Sequence, residues 1–191
     1  LSQLLAENDA GNLSHKQLEH LRTIHAAGHD LLTLINEVLD LSKIEAGKQD
    51  VKLESVGLEH FAGFARRLFE ATAAQKGLRL EIQVDAGAPA LVLTDRQRVE
   101  RILLNLLGNA LKFTEQGTVR LWMGRPHAEL AHLVAGPAVA FSVSDTGVGI
   151  PEAARERVFA PFEQVQSELS RGHTGTGLGL SIAREWARLL G

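Results

Sequence analysis

A long apolar stripe near the start of the chain limits the folds that this sequence can adopt. Ser14 is predicted to begin a helix, because Gln17 stands three residues later as in a capping box, and Gly47 is predicted to end it. The stripe consists of Leu21, Ile24, Leu31, Ile35 and Val38, with Gly28 in one seam position. A spacing close to 3.5 residues exposes more apolar surface than a solvated single helix tolerates. The pattern therefore predicts a helical hairpin that dimerises into a bundle.

The remainder of the chain alternates between strand and helix patterns. We predict strands over residues 51–56, 78–84, 91–93, 118–123 and 139–143. We predict helices over residues 57–76, 96–112 and 178–190, the second of them capped by Asp95. Residues 163–176, rich in Ser, Thr, Gly and Gln, are interpreted as a mobile loop, and residues 124–137 receive no assignment.

Composition excludes several classes of function. The net charge of −3 supplies no general basic field for nucleic acid or anionic lipid, so any recognition of anions must be local. The absence of cysteine excludes disulfides and zinc–thiolate sites. The uncharged run between Glu129 and Asp145 is too short to span a bilayer. The chain starts at Leu1, and we interpret both of its ends as cuts in a longer polypeptide.

Two asparagines and a lysine share one face of the helix that follows Asp95. Asn105 and Asn109 are four residues apart, and Lys112 follows three residues later. An amide oxygen can ligate Mg²⁺, and a lysine near a helix end can hold a phosphate. Alternatively, the amides cap neighbouring backbone and Lys112 compensates the helix dipole. Taken alone, this segment leaves the two interpretations equally open.

The segment from Asp145 to Pro151 directly follows a predicted strand. Gly147 and Gly149 would let the backbone approach a flat ligand closely, and a carboxylate suits the exocyclic amine of a purine. For this segment alone, a tight turn with a local Asx bond is the better interpretation.

Paired aromatic residues, Phe159 and Phe162, surround Pro161. We interpret them as a small core cluster that anchors a loop.

Alternate glycines, at positions 175, 177 and 179, precede the last predicted helix. Such a turn exposes backbone N–H groups to an anion, and the helix dipole adds to the attraction. The segment is not a Walker A loop, and it does not follow a strand as a dinucleotide fingerprint does.

In this order, the four segments resemble the N, G1, F and G2 boxes of the sensor histidine kinase family, within the GHKL ATP-binding superfamily. Residues 39–47 also resemble the end of that family's dimerisation hairpin. The resemblance implies an α+β fold of the Bergerat type, a two-layer sandwich of a mixed sheet against helices, preceded by a long dimerisation helix. It implies that residues 1–48 are part of the dimerisation and phosphotransfer hairpin. Residues 49–191 would be the catalytic ATP-binding domain, incomplete at its C-terminus.

The resemblance further implies that the chain binds ATP and Mg²⁺. Asn109 would be the Mg²⁺ ligand, Asn105 a nearby polar contact and Lys112 a partner of phosphate. Phe113 would border the adenine, and Asp145 would accept from its amine. The remaining cofactor-binding residues would be Gly147, Gly149, Ile150, Thr174, Gly175, Thr176, Gly177, Leu178 and Gly179. Arg171 and His173 would approach the γ-phosphate, which makes Asn105, Lys112 and Arg171 the candidate catalytic residues.

The implied activity is transfer of the γ-phosphate of ATP to a histidine upstream of this segment, for relay to a response-regulator receiver domain. The protein would act as a homodimer in the cytoplasm, with any membrane contact outside this segment.

ATP hydrolases of the superfamily carry Glu where this chain has Asn105, which cannot act as a general base. His15 lacks the family's Arg-Thr-Pro context and is not the expected acceptor, and His25 with His29 lacks a third metal ligand. Two alternatives stay open, an ATP hydrolase and a non-catalytic dimerisation or pseudokinase module.

Overall fold

The computed structural model describes residues 5, 7–8, 11–46, 50–127, 137–163 and 176–191. The chain divides into two units, Leu1–Lys48 and Gln49–Gly191. Within the described ranges, no helix has both the length and the apolar character needed to cross a membrane.

The first unit contains a helix of 31 residues, α1 (His15–Glu45). The predicted capping box is confirmed, because the backbone N–H of Gln17 donates to Oγ of Ser14 while Oε1 of Gln17 accepts from the N–H of Ser14 at 2.8 Å. The helix ends with Ala46 as its C-cap, and the predicted terminator Gly47 lies outside the described residues.

The apolar stripe of α1 is largely exposed in this single chain. The exposed large apolar side chains of α1 are the stripe members Ile24, Leu31 and Ile35, together with Leu32 and Leu39 beside the stripe. A stripe of this kind on one helix is typical of a helix that packs against partner helices.

In its described residues, the second unit combines two small sheets with three helices. Its elements are β1 (Glu54–Gly57), α2 (Leu58–Gln75), β2 (Arg79–Val84), β3 (Leu91–Thr94), α3 (Arg96–Phe113), β4 (Thr118–Gly124), β5 (Ala140–Asp145) and α4 (Gly179–Leu190). Single 3₁₀ turns at Glu152–Ala154 and Arg157–Phe159 follow β5. Strand β2 pairs parallel with β4, and β4 pairs antiparallel with β5, which makes the three-stranded sheet mixed. Strands β1 and β3 form a separate antiparallel pair.

The first predicted strand is wrong at its start. The sequence pattern predicted a strand from Val51, but β1 begins at Glu54. The backbone N–H of Lys52 instead donates to Oδ2 of Asp95 at 2.9 Å. Because Glu54 pairs with Thr94, the last residue of β3, the residues before Glu54 have no strand partner there.

One face of the mixed sheet forms the core with α2 and α3. Alternate residues of β4 are fully buried on this face, namely Val119, Leu121 and Met123. The opposite face of β4 carries Trp122 beside polar residues, and Arg120 forms an ion pair there with Glu81 at 2.7 Å. The second unit therefore has the predicted two-layer α+β arrangement of a mixed sheet against helices.

Helix α3 begins and ends where the sequence predicted. Asp95 caps it through a hydrogen bond from the N–H of Arg98 at 3.1 Å. Its buried residues recur at helical spacing and are Val99, Leu103, Leu107, Ala110 and Leu111.

We expect the core side of α3 to dominate the stability of this unit. Leu103 is fully buried, whereas its neighbour Leu104 is 43% exposed. Leu103→Ala should lower the free energy of unfolding by about 2–5 kcal/mol through the cavity that it creates. Leu104→Ala, the matched control, should lower it by less than about 1 kcal/mol. Urea unfolding followed by tryptophan fluorescence measures both values, and equal losses would contradict the assignment of the buried face.

Candidate functional site

The polar side chains predicted from the sequence lie along one face of the C-terminal half of α3. From Asn105 to Phe113 the helix advances about 12 Å. Asn105, Asn109 and Lys112 are all half-buried. Within the described residues, neither asparagine amide forms a hydrogen bond with a neighbouring backbone group. The interpretation of these amides as backbone caps therefore has no support in this part of the chain. Both amide oxygens remain available to a ligand in this part of the chain.

Lys112 is the ammonium of this polar face. Its Nζ lies 5.1 Å from the centroid of the Phe113 ring. Burial removes water from the ammonium and lowers the pKa of Lys112 below its usual value. Burial of the charged form lowers the stability of the folded protein at pH values below the lowered pKa. This loss of stability disappears as the pH rises from the lowered pKa to the ordinary pKa of lysine. A phosphate at this face would act in the opposite direction and raise the pKa of Lys112.

The C-terminal end of α3 is held by residues distant in sequence. Nζ of Lys76, at the end of α2, donates to the carbonyl of Leu111 at 2.6 Å. The backbone N–H of Val148 donates to the carbonyl of Phe113 at 3.4 Å. These bonds satisfy carbonyls that a helix end leaves without intrahelical partners. The role of Lys76 was not predicted from the sequence, although its position directly before the helix-ending Gly77 was the available signal.

The loop after β5 lies against this end of α3. The Asp145 carboxylate accepts the N–H of Gly147 through Oδ1 at 2.8 Å, which is the local Asx bond expected as the structural alternative. Within the described residues, Oδ2 of Asp145 has no hydrogen-bond partner. A Cβ atom on Gly147 would overlap the carbonyl oxygen of Phe113, so only glycine permits this approach. Gly149 has φ +69°, and the side chain of Ile150 is exposed.

The start of α4 meets the same helix about two turns earlier. A Cβ atom on Gly179 would lie 2.9 Å from Oδ1 of Asn105. Among the described residues no side chain caps α4, so no capping residue in this part of the chain satisfies its first N–H groups. Before it, Oγ1 of Thr176 accepts from the N–H of Leu178 at 3.2 Å. Gly177 has φ +72°, a conformation that favours glycine.

The predicted aromatic core cluster is wrong for one of its two rings. Val158 is buried and Phe159 is half-buried, but Phe162 is 62% exposed. Phe162 adopts φ +63° and donates its N–H to the carbonyl of Gly177 at 3.0 Å. Phe162 therefore contributes little to a buried cluster.

Helix α3 therefore gathers two of the predicted segments, Asp145–Ile150 at its end and Gly177–Gly179 near its middle. Four predicted residues, Arg171, His173, Thr174 and Gly175, lie outside the described residues. In the described part of the chain, no three His, Cys, Asp or Glu side chains form a group that could hold a metal ion. A metal here would therefore depend on amide oxygens and on oxygens of its ligand.

Two family models match this chain. Residues 94–191 match the model described as histidine kinase-, DNA gyrase B-, and HSP90-like ATPase. Residues 1–47 match the His Kinase A (phospho-acceptor) domain. These matches confirm the resemblance to sensor histidine kinases that the four ordered segments indicated.

Curated relatives and a solved structure agree with these models. The virulence sensor protein BvgS of Bordetella parapertussis is 42% identical over 175 residues, which are 91% of this chain and 14% of that protein. The non-motile and phage-resistance protein of Caulobacter vibrioides is 40% identical over 185 residues, which are 96% of this chain and 21% of that protein. The chain thus spans about a fifth or less of these relatives. The crystal structure of full-length ShkA in complex with AMPPNP is similar with a TM-score of 0.76 and 32% identity, over 93% of this chain and 35% of that chain.

The close approach of Gly147 to α3 generates a prediction about stability. Gly147→Ala should lower the free energy of unfolding by about 1–3 kcal/mol, because its methyl group would displace the Phe113 carbonyl. Gly108→Ala is the matched control, since a Cβ atom at this helical position meets nothing within 4 Å. It should raise the stability by about 0.5–1 kcal/mol. Thermal unfolding without nucleotide measures both signs, and a stabilising Gly147→Ala would contradict the packing described.

Proposed function

This chain belongs to the histidine kinase-, DNA gyrase B- and HSP90-like ATPase family, and from that membership we propose that it binds Mg-ATP and transfers the γ-phosphate to a histidine. The observation that carries this proposal is the polar face of α3, which has the Gly147 loop against its end and Gly179 against Asn105. We propose residues 49–191 as the catalytic domain and residues 1–48 as part of the dimerisation and phosphotransfer hairpin. The acceptor histidine lies outside this segment in our proposal, and His15 is not that residue.

The adenine is proposed to lie where the β5 loop meets the end of α3. An ionised carboxylate is an acceptor only, so Asp145 suits the 6-amino group of adenine. Its Oδ1 already accepts from Gly147 within the chain, and Oδ2 has no partner in the described residues. The partly exposed Phe113 ring and the exposed Ile150 side chain offer apolar surface to the base.

The phosphates are proposed to lie between α3 and the start of α4. The N-terminus of α4, which no described side chain caps, presents backbone N–H groups and the positive end of a helix dipole. Lys112 adds a cationic group, and the amide oxygen of Asn109 suits Mg²⁺, which accepts neutral oxygen donors beside phosphate and water. The ion, when bound, would neutralise negative charge on the phosphates. Arg171, Thr174 and Gly175 stay in the proposal on the strength of their motif alone.

Phosphoryl transfer to protein, rather than to water, is favoured by the residue at position 105. The Asn105 amide cannot abstract a proton from water, and its Oδ1 packs toward Gly179 at the start of α4. Catalysis would then rest on positioning and on electrostatic stabilisation. Steady release of phosphate without a histidine acceptor would instead favour the ATP hydrolase.

Binding of ATP to the full chain tests this proposal. Asp145→Asn should weaken ATP binding about 10–100-fold, with or without Mg²⁺. The substitution replaces the charged acceptor of the adenine 6-amino group by a neutral amide. Asn109→Ala should weaken it only when Mg²⁺ is present. Isothermal titration with ATP, in magnesium and in EDTA, separates the two effects.

The structure offers a matched control for Asp145. Asp85, at the end of β2, makes the same local bond, with its Oδ1 accepting from the N–H of Gly87 at 2.7 Å. The strand directions place the two aspartates at opposite ends of the mixed sheet. Asp85→Asn should leave the affinity for ATP unchanged. An equal loss in both variants, or no loss in Asp145→Asn and Asn109→Ala, would refute the proposed pocket.

The whole protein is proposed to act as a homodimer that passes its phosphoryl group to a response-regulator receiver domain. The match of residues 1–47 to the His Kinase A domain supports this, as does the exposed apolar stripe of α1. Burying such stripes against each other supplies the driving force for a helical bundle.

Association of the full chain should depend on this stripe. Leu31, on the stripe, is 58% exposed, and Leu31→Glu should shift the protein from dimer to monomer because it places a charge in the apolar seam. Thr33, two residues later, lies on the opposite side of α1, and Thr33→Glu should leave the dimer intact. Sedimentation velocity over a concentration series reads out both. Dissociation by both variants alike would mean that the stripe is not the interface.

A further inference from the structure

The pairing of β4 with β5 ends in an unusual way beside Asp145. The antiparallel register pairs Val119 with Asp145, so the next pair would be Thr118 with Thr146. In such a hydrogen-bonded pair, two residues normally exchange both of their backbone bonds. Here the N–H of Thr146 donates to the carbonyl of Thr118 at 3.1 Å, as expected. The N–H of Thr118, however, donates to the side-chain Oγ1 of Thr146 at 2.9 Å.

The Thr146 hydroxyl thus replaces a backbone carbonyl at the last position of the ladder. Its own hydrogen is directed to the carbonyl of Gln116 at 3.2 Å, so it both accepts and donates. The backbone carbonyl of Thr146 is released from the ladder. The chain can then leave the sheet directly after Asp145 and enter the loop that approaches α3 at Gly147.

The turn that receives this hydroxyl is itself fixed. Gly117 has φ +106°, and a Cβ atom there would overlap Oγ1 of Thr146. The carbonyl of Gly117 accepts from the N–H of Arg79 at 2.9 Å, which ties the turn to the start of β2. Glycine at position 117 therefore leaves the space that the Thr146 hydroxyl occupies.

We propose that Thr146 is a positioning residue for purine recognition, whose hydroxyl ends the β4–β5 ladder and thereby orients Asp145 toward the 6-amino group of the base. This inference rests on the proposed function, because it assumes that Asp145 meets adenine. Without the hydroxyl, the Thr118 N–H loses its acceptor unless the Thr146 carbonyl turns back to it. That turn extends the ladder by one residue and rotates the strand end that carries Asp145. Selectivity between 6-amino and 6-oxo purines is then lost before the affinity for the triphosphate is lost.

The experiment compares ATP with inosine triphosphate, which has an oxo group in place of the 6-amino group. The wild-type chain should prefer ATP by at least about tenfold, since a carboxylate left opposite an oxo group is unpaired. Thr146→Val has nearly the same shape but no hydroxyl, and it should reduce the preference to about twofold or less, mainly through weaker ATP binding. Thr146→Ser keeps the hydroxyl and should restore the preference. Thr72→Val, at an exposed position of α2, is the matched control and should preserve it.

Two further measurements keep the inference falsifiable if Thr146→Val unfolds. Gly117→Ala perturbs the hydroxyl from the opposite side and should also reduce the ATP preference. Amide hydrogen exchange should show faster exchange at Thr118 in Thr146→Val than in Thr146→Ser. A wild-type preference that persists in Thr146→Val or in folded Gly117→Ala would overturn the role of Thr146. An equal loss of affinity for ATP and inosine triphosphate in Thr146→Val would also overturn it, because it would show that Thr146 has only a structural role. Failure of the wild type to bind ATP would instead refute the proposed function.

Discussion

The burial of one face of helix α3 against the mixed sheet is the constraint on which the rest of the second unit depends. Because Leu103 and Leu107 are fully enclosed, the rotation of the helix about its axis is fixed. The opposite side then presents Asn105, Asn109 and Lys112 in one direction. Both glycine loops are positioned relative to this helix, since Gly147 touches its end and Gly179 touches Asn105. A slip in the packing of α3 would therefore displace every part of the proposed pocket together.

The proposed pocket also requires that its loops pass close to neighbouring backbone. Glycine permits this close approach for two different reasons. At Gly147 the reason is space, because any side chain would occupy the position of the Phe113 carbonyl. At Gly177 the reason is also conformational, since φ is +72° and the carbonyl there accepts the N–H of Phe162. Phe162 itself adopts φ +63° with a bulky side chain, a conformation that is unfavourable by about 1–2 kcal/mol. The backbone bond to Gly177 helps to hold it there.

The sequence predicted what depends on local patterns. The alternation from Leu78 to Val84 predicted β2, and Asp95 predicted the start of α3, because both signals are contained in a few consecutive residues. Prediction from the sequence failed where the structure of a segment depends on a hydrogen-bond partner distant in sequence. The residues from Val51 have strand composition, but the N–H of Lys52 is taken by a carboxylate 43 residues away. Lys76 and Thr146 were missed for the same reason, since their partners are known only from the fold.

The electrostatics of the α3 face link nucleotide binding to protonation. Burial lowers the pKa of Lys112 in the free protein, so the ammonium form is disfavoured there. A polyphosphate beside it would raise that pKa again, and binding above the lowered pKa would then take up a proton. The asparagines on the same face carry no charge at any pH and contribute only oriented dipoles. Such a site can attract phosphate and Mg²⁺ without containing a base that activates water, which is what a phosphoryl donor to protein requires.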